Sequence, residues 1–263
     1  MSPPTSLPLS PSPRSKGRET SIDAVVVAAC AMLSFAGACV THEVLGHAGA
    51  CLIGGGTVTT LTSSAFVCQP RLLVADLGGP GANLLLGIAC LLLLQRLRPG
   101  SIVHFLTLLG AAFDLFWLAG CLAEAAVVAR GDVAYAQRLA SEGHVMLRVL
   151  FGIAAVAIGV ATCRLLGRQH VPRRFYWLAY VVAGATSCLS VLFATHPLGP
   201  ALRESALESL GSMAWLLLVR PRPEGPPPDP PPVAASPRRV VAPALLALGL
   251  LVALGHGITP PSH

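Results

Sequence analysis

Residues 24–49 read AVVVAACAMLSFAGACVTHEVLGHAG, an apolar run whose only ionisable groups, His42, Glu43 and His47, come near its end. As a helix the run is long enough to cross a hydrocarbon core of ~30 Å, which takes about 20 residues. Comparable runs follow at 72–95, 102–128, 145–166, 175–195 and 240–257, and a seventh at 201–219 carries Arg203, Glu204 and Glu208 in its first turns. Apolar residues in blocks of this length predict an all-α fold, a polytopic transmembrane helix bundle of about six to seven spans. A Gly- and Thr-rich stretch after the first span predicts a small extended or β segment there. Composition agrees: 54% of residues are hydrophobic and 11% charged, against a charged share of about 25% in soluble domains.

The blocks divide the chain into a Pro/Ser-rich leader (1–21), a three-span core (22–130), further transmembrane helices (131–219), a Pro-rich linker (220–239) and a last span (240–257). The leader and linker have the composition of disordered or extended segments. The first run is too long for the apolar core of a signal peptide, so it is expected to stay as an anchor.

A net charge of +6 and a pI near 9.1 would suit nucleic acid, but the positions of the charges argue against it. With a cytoplasmic N-terminus and seven spans, the outer side receives only Arg71, Arg130, Arg138, Arg148 and Arg203; the other basic residues fall inside. That asymmetry is the one expected of membrane topology. The expected partner is membrane lipid, with no nucleic acid, and the expected location is an integral, multi-pass membrane protein with its N-terminus in the cytoplasm. Most of the eight cysteines lie in apolar runs, where thiols pack as small hydrophobes. Cys51 and Cys68 instead bracket an outer loop, either as a disulfide, the pairing favoured in an oxidising compartment, or as two free thiols.

Ionisable side chains inside a membrane span are costly and point to function. His42, Glu43 and His47 come close to the helical zinc signature His-Glu-x-x-His, in which two imidazoles bind Zn2+ and the glutamate takes the proton of the attacking water. Here the histidines stand at i and i+5, ~140° apart on a regular helix. A π-bulge would bring them together, and Gly46 eases such a distortion. On a regular helix Glu43 and His47, at i and i+4, would be the ligand pair instead. Without a metal the three would cap or hydrogen-bond within the bundle.

From these residues the chain resembles the site-2 protease family of intramembrane zinc metalloproteases. His42-Glu43-Val44-Leu45-Gly46-His47-Ala48 is similar to the family's His-Glu-x-Gly-His-Ala helix. Gly54-Gly55-Gly56-Thr57-Val58-Thr59-Thr60-Leu61 follows where relatives form a small β-hairpin. Gly78-Gly79-Pro80-Gly81-Ala82-Asn83 is similar to the Gly-Pro-x-x-Asn segment of the next span. The resemblance covers about residues 25–130. It implies His42, His47 and Asp114 as zinc ligands, Glu43 as general base, and Asn83 with Gly54, Gly55 and Gly56 positioning substrate. Cys121, seven residues after Asp114 and on the same helical face, could join a metal site or pack in the core.

The expected activity is therefore hydrolysis of peptide bonds in or near the bilayer, with a membrane-protein substrate. The alternative is a non-catalytic membrane scaffold or regulator on the same core. Local geometry separates them: two zinc ligands need their ring nitrogens within ~4–5 Å of each other.

Overall fold

The computed structural model describes residues 24–140, 145–169, 171–192, 197–221 and 238–257. The expected leader, nearly all of the linker, and His144, His170 and His196 lie outside the described residues. Helix α1 (Ala24–Cys39) runs on through a π-helical segment (Val40–Ala48) into α2 (Gly49–Ile53). A hairpin of β1 (Thr57–Leu61) and β2 (Phe66–Gln69) follows, then α3 (Leu73–Leu94), α4 (Ile102–Val127) and the short α5 (Gly131–Ala140). The second half comprises α6 (Val145–Gly167), α7 (Arg173–Val191), α8 (Leu198–Ala206), a second π segment (Leu207–Gly211), a 3-10 segment (Ala214–Leu218) and α9 (Arg238–His256).

Among the described residues five helices are long and apolar enough to cross a membrane: Ala24–Ile53, Leu73–Leu94, Ile102–Val127, Val145–Gly167 and Arg239–His256. That is fewer than the six to seven expected. Helix α7 falls short because Arg173 and Arg174 open it and Thr186, Ser187 and Ser190 interrupt its apolar face. The stretch 201–219 falls short because it is no continuous helix: α8 gives way to the π and 3-10 segments, and Arg203, Glu204 and Glu208 sit in it. Hydroxyls replace apolar contacts where these segments meet. Ser187 Oγ and Ser205 Oγ are 2.6 Å apart, and Ser63 Oγ, from the hairpin turn, lies 3.0 Å from Ser190 Oγ.

Helix α1 packs against α4, α7 and α9. Phe35 is the centre of that contact, stacked on Trp117 at 5.6 Å and edge-on to Phe113 at 6.0 Å. Helices α3, α6 and α9 bury much less of themselves and expose Leu85, Leu92, Ile153, Val156, Leu246 and Leu250. A water-soluble surface rarely carries so many exposed large apolar side chains, whereas lipid solvates them. The molecule has the make-up of a multi-pass helical membrane protein.

The expected β segment is an antiparallel hairpin with Thr57 opposite Gln69 and Leu61 opposite Phe66. Cys51 in the middle of α2 and Cys68 in β2 form a disulfide, with Cα atoms 5.9 Å apart. Gly54, Gly55 and Gly56, expected to position substrate, form the turn into β1. Gly55 has φ +80°, a conformation that favours glycine, and a Cβ on Gly56 would stand 2.6 Å from Cys68 Sγ.

The π segment lies against α3 at near-contact of the two backbones. A Cβ on Gly46 would come within 2.6 Å of Gly79 Cα and 2.7 Å of Gly78 O. Glycine on both sides is what lets helices approach this closely. Replacing Gly46 by leucine should force α3 away and lower stability by about 1–3 kcal/mol. Gly37→Ala, where a Cβ meets nothing within 4 Å, should not; thermal unfolding in detergent separates the two. Thiol titration of the unfolded protein should count six cysteines before reduction and eight after it.

Candidate metal centre

In an α-helix His42 and His47 would point to different sides. The π segment, with its wider turn, brings both inward. Their Nε2 atoms are 3.1 Å apart, and each lies 3.2 Å from Oδ2 of Asp132. Three electron-pair donors from two distant parts of the chain thus form a nearly equilateral triangle. Left to themselves, two imidazole lone pairs and a carboxylate repel. The arrangement calls for a cation among them, whether a metal ion or protons on the rings.

Each donor is oriented from behind. Nδ1–H of His47 donates to the backbone oxygen of Ala75 at 2.7 Å, which leaves the Nε2 lone pair for the centre. Phe66 of β2 stacks flat on His47 at 4.1 Å, and Trp117 of α4 stacks on His42 at 5.1 Å. A Cβ on Gly79 would collide with His47 Nε2, so only glycine at 79 leaves that nitrogen clear. Asp132 enters because the chain reverses sharply after α4: Ala129 (φ 53°) and Gly131 (φ 77°) both adopt left-handed conformations. Helix α5 then docks on α3 and α4, with Arg71 4.4 Å above the Tyr135 ring and paired to Asp76 at 3.2 Å. Burial disfavours the charged form of Asp132, but hydrogen bonds from His42 and His47, and their charge, outweigh it and hold its carboxyl well below the usual range.

The donor set fits zinc. Tetrahedral Zn2+ at about 2.0–2.1 Å from nitrogen and oxygen ligands sets them about 3.3 Å apart, close to the 3.1–3.2 Å found. Two imidazoles and one carboxylate also form a known catalytic zinc set, with the fourth position open. The two histidines are almost wholly buried, whereas the Asp132 side chain is 24% exposed, so the α5 side is the least covered part of the group.

Asp114, expected as the third ligand, is not in this group. It belongs to α4 one turn before Trp117 and faces α3, where a Cβ on Gly87 would lie 3.5 Å from its own Cβ. Its carboxylate makes no ion pair with either histidine, and its buried Oδ1 has no hydrogen-bond partner. The carboxylate beside the two histidines is Asp132, two residues beyond the core expected to end at 130. One signal pointed to it: the loop after the third span lies on the same side of the membrane as the histidines.

Glu43 is buried beside His42, and its Oε2 has no partner. Asn83, one turn after Gly79 on the same face of α3, is wholly buried with neither amide atom bonded. Buried polar atoms are normally satisfied. Among the described residues, all the unpartnered ones belong to His42, Glu43, Asn83 and Asp114. Glu208, one of the charged residues of the seventh apolar run, lies in the second π segment. Burial first, then the nearby carboxylates of Glu43 and Asp132, raise its carboxyl well above the usual range. No protein-family model, no curated protein and no solved structure matches the chain.

Proposed function

We propose that this protein is an intramembrane zinc metallopeptidase of the site-2 protease type, with His42, His47 and Asp132 as metal ligands. The observation that carries the reading is the triangle of donors, 3.1–3.2 Å on a side, with Glu43, next to His42 in sequence, buried and one carboxylate oxygen unpartnered. Zinc held there would supply Lewis acidity toward water and toward a peptide carbonyl. Glu43 would take a proton from the attacking water at Oε2 and deliver it to the leaving amine nitrogen as the C–N bond breaks. Asn83 Nδ2–H would donate to the substrate backbone. The hairpin, with one unpaired edge on each of its two strands, offers a place for an unwound substrate segment to add by strand pairing. The α5 side supports entry of water.

The reading includes a topology. With the N-terminus in the cytoplasm, the loops that follow the first and third spans, with Arg71, Arg130 and Arg138, face outward. The hairpin, α5 and the Cys51–Cys68 disulfide then share the outer, oxidising side.

Purified protein should carry about one zinc per chain by elemental analysis. Asp132→Ala should lose it and Asp114→Ala keep it. Glu43→Gln should retain the metal while cleavage of a reporter transmembrane substrate falls by about 10²–10⁴-fold. Metal-free wild-type protein, or a fully active Glu43→Gln, would overturn the assignment.

A further inference from the structure

Cys121 stands on α4 one helical turn after Trp117, the residue stacked on His42. Its Sγ, a ring nitrogen of His42 and a carboxylate oxygen of Asp132 all lie within 4.8 Å of one another. In a tetrahedral zinc site with sulfur at about 2.3 Å and nitrogen or oxygen at about 2.0–2.1 Å, those atoms would be about 3.5 Å apart. The thiol thus belongs to one group of donors with His42 and Asp132, and ligation beside His47 as well would draw it inward by movement of the side chain or of α4. Cys121 packs against two apolar clusters, one around Phe35 and Trp117 and one formed by Ala125, Val133 and Ala134 of α4 and α5. It therefore sits at the seam where α5 brings in Asp132. His42, which shares that group, and Glu43, next to it in sequence, each carry a fully buried polar atom with no partner, Nδ1 and Oε2.

We propose that Cys121 is a fourth, exchangeable metal ligand, so that the site alternates between an open three-ligand form and a closed form with four protein ligands. The proposal rests on the metal reading above and adds control of the site to it. Zinc binds thiolate well. Four protein ligands are the mark of a closed site, and three with a vacant position the mark of a catalytic one. Closing would put the thiol in place of water at the fourth position, with the thiol proton and the displaced water both passing to solvent. On opening, sulfur regains a proton and withdraws into the α4–α5 seam. A closed form would keep a hydrolytic centre idle until substrate displaces the thiol. No oxidant is required.

Cobalt(II) tests this, because thiolate ligation produces a charge-transfer band in the near ultraviolet that imidazole and carboxylate do not. Full-length protein in detergent, stripped of metal and reloaded with cobalt(II) alone, should bind about one ion per chain and show that band. Cys121→Ser should bind one cobalt and lose the band, while Cys90→Ser keeps it. Should Cys121→Ser fail to fold, Cys121→Ala serves the same comparison. Wild-type protein that loads cobalt without the band, or a band that survives both Cys121 substitutions, overturns the role of Cys121 and leaves the three-ligand site standing. Wild-type protein that binds no cobalt overturns both.

Discussion

The five-residue spacing of His42 and His47 leaves the chain two choices: point the imidazoles apart, or widen the helix turn. The structure takes the second. A π segment is stable only where surrounding packing favours it, since its hydrogen-bond geometry is poorer than that of an α-helix. Here that packing is the contact of Gly46 with Gly78 and Gly79, in which two helix backbones touch. The same contact sets Gly79 against His47 Nε2 and places the Ala75 carbonyl within reach of Nδ1. Helix distortion, helix–helix distance and ligand orientation are one arrangement.

A polar centre inside an apolar bundle must offset the loss of water around its charges. The offset comes from mutual arrangement: Asp132 with two imidazoles, His47 with a backbone carbonyl, both rings covered by aromatic faces. Among the described residues, the buried side-chain atoms left without a partner belong to His42, Glu43, Asn83 and Asp114, all on the first three long helices. The hydroxyl contacts of α7 and α8 make the comparison plain: there, buried serines pair with one another and with backbone oxygens.

Much of the fold could be read from residue order. The long apolar blocks became α1, α3, α4, α6 and α9 because length together with unbroken apolar composition decides whether a helix can cross a bilayer. The hairpin after the first span, the Cys51–Cys68 link and the π distortion were all legible as local possibilities. The span count was overdrawn at 175–195 and 201–219, where apolar content is high but serines, arginines and carboxylates make internal packing, in place of lipid contact, the better environment.

Sequence by itself determined that two imidazoles and a glutamate lie within six residues of one another inside a membrane helix, since side-chain type and spacing are fixed by covalent order. It could not determine which carboxylate meets them. Asp114 and Asp132 are both acidic groups in or just after the same span, and they differ only in where the chain carries them. A reversal through Ala129 and Gly131 returns Asp132 to the histidines, while the pitch of α4 turns Asp114 toward α3. That meeting depends on a few ångströms of placement between residues some 90 positions apart, and only packing of the whole bundle sets that distance.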